Sequence, residues 1–292
     1  MQIDLHTHSS ASDGTQPPAE LVAEAKQVGL DVIGLTDHDS AAGWAEGAQA
    51  ARRLGVTLVP GMELSTRLDG AGVHLLAYLP DPTYPPLVDE LTKILAGRTG
   101  RLAAMVGRLR AAGIDITEDE VLAQVGDAPA IGRPHIADVL VRKGVVADRS
   151  AAFRDWLNWG RPAYVSRYAS PTREMIAIVN AAGGAAVLAH PWGRGSRQVL
   201  DRRTMAVLAT DGLAGIEVDH QDHDESDRAV LRQMGRDLDL VVTGSSDYHG
   251  AGKVDHDLGC NVTSEQELDR LLTRAAAHAA RSGRDVPAVV GA

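Results

Sequence analysis

The chain has a single cysteine and none of the long apolar runs that would place it in a membrane. Cys260 is the one cysteine among 292 residues, so the sequence excludes an intramolecular disulfide framework. No stretch of about 18 apolar residues occurs that could cross a bilayer as a helix. A signal peptide is not expected, because His6 and His8 fall where its apolar segment would lie. These absences predict a soluble, cytoplasmic protein without a membrane partner.

Positive charge is also scarce. The chain has 29 Lys and Arg against 39 Asp and Glu, a formal net charge of -10, and a pI near 5.5. This balance argues against a broad surface that tracks the phosphates of long double-stranded nucleic acid. A small anionic substrate that is bound locally stays compatible with it. At this length, one barrel with an insertion fits as well as two domains.

Seven short runs rich in valine, isoleucine and leucine have the composition of strands that are buried on both faces. They lie near residues 2–6, 32–36, 57–63, 73–78, 185–190, 215–218 and 240–245. Helical patterns fall between them, near 17–29, 41–54, 196–209, 224–238 and 264–281. Strands that alternate with helices predict an α/β fold with a parallel sheet. Seven units indicate a barrel one short of the usual eight.

The alternation breaks between residues 81 and 180, where a proline-rich start leads into a long amphipathic stretch at 87–112 and further short helical segments. We interpret 81–180 as a mostly helical insertion, with 1–80 and 181–292 forming the barrel. The insertion carries 13 basic and 12 acidic residues, against 16 and 27 in the remainder. It is therefore expected to act as a lid that brings arginines to an acidic barrel mouth.

Six histidines and three carboxylates fall where apolar runs end or just beyond them, which is the rim where a parallel barrel gathers its functional groups. These nine candidate metal ligands are His6, His8, Asp13, His38, Glu63, His74, His190, Asp247 and His249. His6 and His8 are two apart on a strand, so both can bind one ion. Imidazole with a few carboxylates suits Zn²⁺, Mn²⁺ or Fe²⁺. Nine ligands suit two or three ions.

The motifs around these residues resemble the PHP (polymerase and histidinol phosphatase) family across the whole barrel. The matching segments are Asp4-Leu5-His6-Thr7-His8-Ser9, Leu35-Thr36-Asp37-His38-Asp39, Pro60-Gly61-Met62-Glu63-Leu64-Ser65, Ala189-His190-Pro191 and Ser245-Ser246-Asp247-Tyr248-His249-Gly250. Two further segments, Gly132-Arg133-Pro134-His135 and Gly160-Arg161-Pro162-Ala163-Tyr164-Val165, resemble the branch with nucleoside 3',5'-bisphosphate phosphatases and 5'-to-3' exoribonucleases.

The resemblance implies a distorted (β/α)7 TIM-like barrel and a trinuclear centre, with Mn²⁺ as the expected ion and Zn²⁺ or Fe²⁺ as alternatives. The first ion would be held by His6, His8, Glu63 and Asp247. Glu63 would bridge to a second ion, which is held by His74 and His190. The third ion would be held by Asp13, His38 and His249. Histidinol phosphatases of the family often have a histidine at the position of Asp13. That difference, with the large insertion, disfavours histidinol phosphate as substrate.

Four further residues are candidates for contacts with substrate. Arg133 and Arg161 could bind phosphate through two parallel hydrogen bonds, and His135 could hydrogen-bond the phosphate or protonate the leaving alkoxide, so Arg133 and His135 are the candidate catalytic residues. His220 follows the run at 215–218 and could face the site. Alternatively, Arg133, Arg161 and His135 pack within the lid or form ion pairs at the surface. His220 could instead be a solvent-exposed residue at the start of a helix.

The sequence thus predicts a hydrolase that removes the 3'-phosphate of a nucleoside 3',5'-bisphosphate and gives the 5'-monophosphate, through attack by a hydroxide that bridges two metal ions. The alternatives are a 5'-to-3' exoribonuclease on short 5'-phosphorylated RNA and another small-molecule phosphatase, acting on a 5'-mononucleotide or histidinol phosphate. A non-catalytic metal-binding PHP module is a different class, which the complete ligand set disfavours. An amidohydrolase is disfavoured because a bridging glutamate such as Glu63 does not resemble the metal-ligand pattern of amidohydrolases.

Overall fold

A mixed sheet that almost closes into a barrel forms the centre of the molecule. The computed structural model describes residues 1–291, apart from the side chain of Arg194. The strands are β1 (Ile3–Thr7), β2 (Val32–Leu35), β3 (Thr57–Leu68), β4 (Ala71–Tyr78), β5 (Ser170–Pro171), β6 (Ala185–Leu188), β7 (Gly215–Asp219) and β8 (Val241–Gly244). Their order is β1-β2-β3-β4-β6-β7-β8, with β5 paired to β3. A backbone hydrogen bond of 2.9 Å from His8 to Tyr248 brings the two edges together. The predicted α/β barrel is confirmed.

The prediction of a wholly parallel sheet is wrong at β4. This strand runs antiparallel to both β3 and β6, because a two-residue turn at Asp69 and Gly70 replaces a crossover helix. Both turn residues have positive φ, 47° and 86°, as a tight hairpin turn with the twist of its strands requires. The reversal places the first half of β4, which carries His74, at the rim where the parallel strands end.

Helices surround the barrel and hold its strands in place. They are α1 (Pro18–Gln27), α2 (Trp44–Leu54), α8 (Arg202–Thr210), α9 (Glu225–Asp237) and α10 (Glu265–Ser282). The helix predicted at 196–209 begins later than expected. A 3₁₀ turn, Gly193–Gln198, comes first, and Asp201 then caps α8 by accepting a hydrogen bond of 2.8 Å from the Thr204 N–H. None of the described helices is both long and apolar enough to cross a membrane.

Residues 81–180 form most of the remaining helices: α3 (Pro85–Ala111), α4 (Glu118–Val125), α5 (Arg133–Arg142), α6 (Arg149–Ala152), a π-helical turn (Phe153–Leu157) and α7 (Thr172–Ala181). Residues of α3 to α6 and the π turn share an apolar cluster of their own. Met175, Ile176 and Val179 of α7 instead join the cluster that contains strand residues of the barrel. The division of the chain at 81 and 180 stays a prediction.

Two apolar clusters fix the ends of the strands. One joins α1, α2, α7, α8, α9 and the first half of α3 to the sheet, with Leu35, Leu58, Leu75 and Ile216 among its buried members. The other joins α10 to β1, β6 and β8. Close packing of this kind leaves side chains few alternative positions. The polar groups at the strand ends therefore stand on a rigid base, which a catalytic site requires.

Candidate metal centre

The structure brings all nine predicted ligand residues together at one rim of the barrel. His6 and Glu63 lie on β1 and β3, His8 follows β1 directly, and His190 follows β6. His74 lies on the reversed strand β4, and the others are on the loops after β1, β2 and β8. All of them except His190 belong to overlapping groups in which the ligating atoms lie within 4.8 Å of one another.

The first group joins β1, β3 and the loop after β8. The Nε2 atoms of His6 and His8 are 3.0 Å apart, and the Nε2 of His8 lies 3.2 Å from Glu63 Oε2 and 3.4 Å from Asp247 Oδ1. His6 Nε2 lies 3.5 Å from the same Asp247 oxygen. Two imidazole nitrogens and two carboxylate oxygens thus face one point, which is the donor set of a divalent transition-metal ion.

Glu63 links this group to the next one. Its Oε1 lies 2.7 Å from His74 Nδ1 and 2.9 Å from His190 Nε2, whereas its Oε2 lies 3.1 Å from His38 Nδ1. Burial alone would raise the pKa of Glu63, but His74, His38 and His6 hold that pKa well below its ordinary value. Glu63 is therefore a carboxylate whose two oxygens point to separate sets of imidazoles, as a bridge between two ions requires.

Asp13 forms the centre of the third group. Its Oδ1 lies 3.3 Å from His249 Nε2 and its Oδ2 lies 3.6 Å from His38 Nε2. His249 Nδ1 donates to the carbonyl of Asp247 at 2.8 Å, so the neutral ring presents the lone pair of Nε2 to Asp13. Burial opposes the ionised form of Asp13, but His38, His249 and His8 keep its pKa well below the ordinary value.

Two buried atoms at the meeting point of these groups have no hydrogen-bond partner among the described residues. They are His8 Nδ1 and Glu63 Oε2. Buried polar atoms without partners are rare in folded proteins, and an absent ion is one of the ordinary reasons for them. The chemistry of the donors and these two atoms both fit divalent metal ions.

The backbone at the rim adopts conformations that side chains usually avoid. Asp39, His190 and Asp247 have φ values of 52°, 29° and 54°. A non-glycine residue in this region costs of order 1–3 kcal/mol and persists only where the surrounding structure enforces it. The strain falls on two of the nine ligand residues and on the residue after His38.

A cavity of about 370 Å³ opens in front of these groups. Besides apolar and neutral residues, its lining contains two sets of side chains, candidate ligands and cations, which we call the ligand wall and the cationic wall. The ligand wall contains Asp13, His38, His74 and His249, and the cationic wall contains Arg98, Arg101, Arg133, Arg149, Arg167 and Lys253. The volume is in the range of small-molecule sites. The cationic residues other than Lys253 all come from residues 81–180.

Arg101 is the least compensated cation of this wall. Its side chain makes no hydrogen bond or ion pair among the described residues, whereas Arg98 pairs with Asp39 at 2.7 Å. Burial lowers the pKa of Arg101 to about 8, and Arg167, Arg98 and Arg133 add to the shift. Burial and Arg98 likewise lower the pKa of Arg167 to about 9. Both side chains are half-buried, and such crowding of guanidinium groups is relieved by a bound anion.

Comparison with known proteins gives this site its family. A PHP domain model matches residues 4–110. A 3',5'-nucleoside bisphosphate phosphatase of Chromobacterium violaceum is 34% identical over 257 residues, 88% of this chain and 90% of that protein. The chain belongs to the PHP family.

Two other relatives agree with this assignment. A 5'-3' exoribonuclease of Haemophilus influenzae is 33% identical over 248 residues, 85% of this chain and 90% of that protein. A Bifidobacterium adolescentis structure, assigned as a metal-dependent phosphoesterase, has a TM-score of 0.89 and 37% identity, and the match covers 93% of this chain and 96% of that one. This PHP protein is a metal-dependent phosphoesterase and hence a hydrolase.

The four predicted substrate residues of the PHP protein lie in different surroundings. Arg133 lines the cavity, and its Nη1 donates to the Leu157 carbonyl at 3.2 Å. Arg161 is exposed and does not line the cavity. His220 is fully buried, with Nε2 3.4 Å from Asp247 Oδ2. The structure thus brings Arg133 and His220 to the centre and leaves Arg161 outside it.

His135 is buried between the insertion and the barrel. Its Nδ1 accepts from the Gly132 N–H at 3.0 Å, and its Nε2 donates to the Ser12 carbonyl at 3.1 Å. Both ring nitrogens therefore have backbone partners, and His135 does not line the cavity. This geometry corrects the expectation of a direct contact with phosphate: His135 connects α5 to the loop that carries Asp13.

His220, Asp247 and His256 form a further group with the spacing of a metal site. The hydrogen bonds of His220 speak against a metal there. Its Nδ1 accepts from the Asp222 N–H at 3.0 Å, so the ring proton of neutral His220 is on Nε2, which faces Asp247. The neutral ring thus presents a proton toward Asp247 Oδ2, 3.4 Å away, whereas a metal would need the lone pair of that nitrogen.

Sequence reasoning missed Arg98, Arg101, Arg167 and Glu217. The three arginines come together only because α3 packs over the barrel mouth, although the i, i+3 spacing of Arg98 and Arg101 already places them on one helix face. Glu217 had a clearer signal, because it is the one charged residue within the apolar run 215–218. An ionisable group in a strand that is buried on both faces needs specific partners.

Proposed function

We propose that this phosphoesterase removes the 3'-phosphate of nucleoside 3',5'-bisphosphates and releases nucleoside 5'-monophosphates. The observation that carries the proposal is the pair of walls in one cavity, one made of candidate metal ligands and the other of arginines. A substrate with two separate phosphates can place one group at each wall. The bisphosphate phosphatase among the relatives, which matches most of both chains, supports the same substrate class.

Three divalent ions, with Mn²⁺ as the expected metal, would occupy the ligand wall. His6, His8, Glu63 and Asp247 would hold the first ion, Glu63 with His74 and His190 the second, and Asp13, His38 and His249 the third. When bound, such ions lower the pKa of water toward neutrality and neutralise charge on the phosphoryl oxygens. Hydrolysis adds water across the bond between phosphorus and the 3'-oxygen, so that inorganic phosphate and a 3'-hydroxyl are the products.

Residues of the chain itself would position the substrate. Arg101 and Arg167 bind the 5'-phosphate, because their charges face the cavity and lack carboxylate partners within 4 Å among the described residues. Arg133 binds the phosphate that reacts, through a fork of donors that matches phosphate oxygens. Arg98 is held by Asp39 and keeps the wall in place. Fixing both phosphates holds the reacting phosphorus still, which reduces the entropic part of the barrier.

The insertion at 81–180 would close the site from solvent. Residues of α3, α4, α5 and α6 form an apolar cluster of their own, while Leu87 and Ile94 anchor the start of α3 in a barrel cluster. His135 joins this unit to the loop of Asp13. The insertion thus places the cations and excludes water while the barrel supplies the ligands. Exclusion of water strengthens the attraction between arginine and phosphate.

A side-by-side assay tests this proposal. The Mn²⁺-loaded protein is offered nucleoside 3',5'-bisphosphates, 5'-mononucleotides, histidinol phosphate and 5'-phosphorylated oligoribonucleotides. We expect the greatest kcat/KM for the bisphosphates. The greatest kcat/KM for histidinol phosphate or a 5'-mononucleotide would overturn the substrate assignment and leave the metal centre intact.

A 5'-to-3' exoribonuclease acting on short RNA is the second candidate, and one observation favours it. Trp159 is 83% exposed and Arg161 is exposed as well, on the loop that follows the cavity residue Asn158. An exposed indole beside a cation is a suitable platform for a base and phosphate that extend beyond the cavity. In the same assay, this candidate predicts the greatest kcat/KM for the oligoribonucleotides.

A further inference from the structure

Among the seven strands in the order β1-β2-β3-β4-β6-β7-β8, only β7 brings none of the nine predicted ligands to the rim. It carries instead Glu217, a carboxylate that is wholly buried and lies below the candidate ligands. Its two oxygens contact an imidazole nitrogen, a hydroxyl and a backbone N–H, which are the surroundings of an ionised carboxylate. A buried carboxylate of this kind is strongly destabilising unless several donors satisfy it.

Three donors from three other segments satisfy Glu217. His6 Nδ1 on β1 lies 3.1 Å from its Oε1, and the hydroxyl of Ser245, after β8, donates to the same oxygen. The backbone N–H of His190, after β6, donates to Oε2 at 2.7 Å. One carboxylate thus touches two candidate ligand residues and the segment that leads to Asp247.

The hydrogen bond with Glu217 decides which nitrogen of the neutral His6 ring carries the proton. An ionised carboxylate can only accept, so the proton of neutral His6 is on Nδ1 and the lone pair is on Nε2. This is the nitrogen that faces His8, Glu63 and Asp247. The bond to the His190 N–H acts on a residue whose φ of 29° is otherwise unfavourable.

We infer that Glu217 is a positioning residue for the metal centre: it fixes the His6 ring for metal binding and holds the strained backbone of His190. The inference rests on the proposed ligand roles of His6 and His190. Loss of a carboxylate that orients a ligating histidine typically lowers metal affinity 10–100-fold. The effect is expected at the ions held by His6 and His190, and the ion at Asp13, His38 and His249 is expected to keep its affinity.

The test measures metal binding without substrate. In Glu217→Gln, the amide NH₂ group faces at least one of the three donors and cannot accept its hydrogen bond. The His6 proton can then move to Nε2, where it blocks metal binding. Mn²⁺ titration followed by electron paramagnetic resonance should show at least one ion per chain bound about 10–100-fold more weakly. NMR of ¹⁵N-labelled histidine in the Zn²⁺-loaded protein should show a changed Nδ1–H signal of His6. Excess Mn²⁺ should restore kcat while KM for substrate stays unchanged.

Two further variants keep the inference falsifiable if Glu217→Gln folds poorly. Ser245→Ala removes one donor and leaves every candidate ligand in place, so a smaller weakening of the same ions is expected. Glu267→Gln is the matched control, because Glu267 accepts from the Val242 N–H at 2.8 Å and does not contact the centre. Unchanged Mn²⁺ affinity in either Glu217→Gln or Ser245→Ala, or an unchanged Nδ1–H signal of His6 in Glu217→Gln, would overturn the role of Glu217. These measurements need no substrate, so a wrong substrate assignment would leave them unaffected.

Discussion

The two walls of the cavity differ in how the chain builds them. The ligand wall is built from strand ends, where each candidate residue is fixed by the register of the sheet and by the apolar clusters behind it. The cationic wall is built largely from helices α3 and α5 and the segments that follow them, with their own apolar cluster. Under the proposed function, the barrel would supply the metal ligands and residues 81–180 would select the substrate.

The difference is also electrostatic. Carboxylates and imidazoles compensate one another in the ligand wall, where Glu63 and Asp13 each contact several histidines. In the cationic wall, Arg98, Arg149 and Lys253 pair with Asp39, Asp138 and Asp247. Arg101 and Arg167 have no such ion pair among the described residues, and burial and neighbouring arginines lower their pKa. The first wall is suited to cations and the second to an anion. Four changes to the protein, given in order of expected effect, distinguish the contribution of the ligand wall from that of the cationic wall.

Removal of metal should disable the first wall and spare the second. Chelation followed by desalting is expected to abolish hydrolysis, and Mn²⁺ is expected to restore it. The unfolding temperature should fall as well, because an ion at 100 times its Kd stabilises the folded state by about 2.7 kcal/mol. The metal-free protein should still bind a nucleoside 5'-monophosphate by calorimetry. Full activity after chelation, with metal loss verified by elemental analysis, would contradict the assignment of chemistry to the ligand wall.

Glu63→Gln should have the next largest effect, since Glu63 contacts histidines of every candidate ion group. We expect kcat to fall about 10³-fold, because metal stabilisation of the transition state is worth several kcal/mol and each 1.36 kcal/mol is tenfold in rate. Steady-state kinetics at saturating Mn²⁺ measure it. Glu90→Gln is the control: Glu90 is also a buried glutamate but bonds Lys93 and Tyr168, away from the centre. A kcat within threefold of the wild type in Glu63→Gln would exclude a bridging role.

Arg101→Met should affect binding more than chemistry. Hydrogen bonds to charged groups contribute about 1.5–3 kcal/mol, so KM for the bisphosphate is expected to rise about 10–100-fold with a smaller change in kcat. Arg110→Met is the matched control, since Arg110 lies on the same helix with an exposed side chain. Equal KM values for Arg101→Met and the wild-type protein would remove Arg101 from the substrate site.

Trp159→Ala should have the smallest effect and a selective one. Base stacking is worth about 1–3 kcal/mol, so kcat/KM for an oligoribonucleotide is expected to fall about fivefold or more. The value for a mononucleoside bisphosphate should not change, because its base does not reach beyond the cavity. The ratio of the two kcat/KM values is the measurement. An equal loss on both substrates would place Trp159 in the fold of the insertion and not in an extended binding surface.

The ligand wall was predictable because its signals are local. An apolar strand followed by His or Asp identifies a rim residue without knowledge of the tertiary fold, as at His190 and Asp247. The reversal of β4 was missed although Asp69-Gly70 is a hairpin signal. The prediction of His74 survived that error, because reversal brought the start of the strand to the rim.

The cationic wall was only partly predictable. Arg133 was found through its motif, but Arg101 and Arg167 are 66 positions apart and meet only when the insertion folds over the barrel. His135 was misassigned because a motif does not reveal that backbone groups occupy both ring nitrogens. Long-range packing of this kind has no signature in the periodicity of a single segment.

One kinetic comparison tests the two-wall account most directly: kcat/KM of the Mn²⁺-loaded protein for a nucleoside 3',5'-bisphosphate and for the 3'-monophosphate of the same nucleoside. The two substrates share the phosphate that reacts and differ only in the group assigned to the arginines. The account predicts a value at least about tenfold higher for the bisphosphate, from the 1.5–3 kcal/mol of charged hydrogen bonds. Equal values would contradict it.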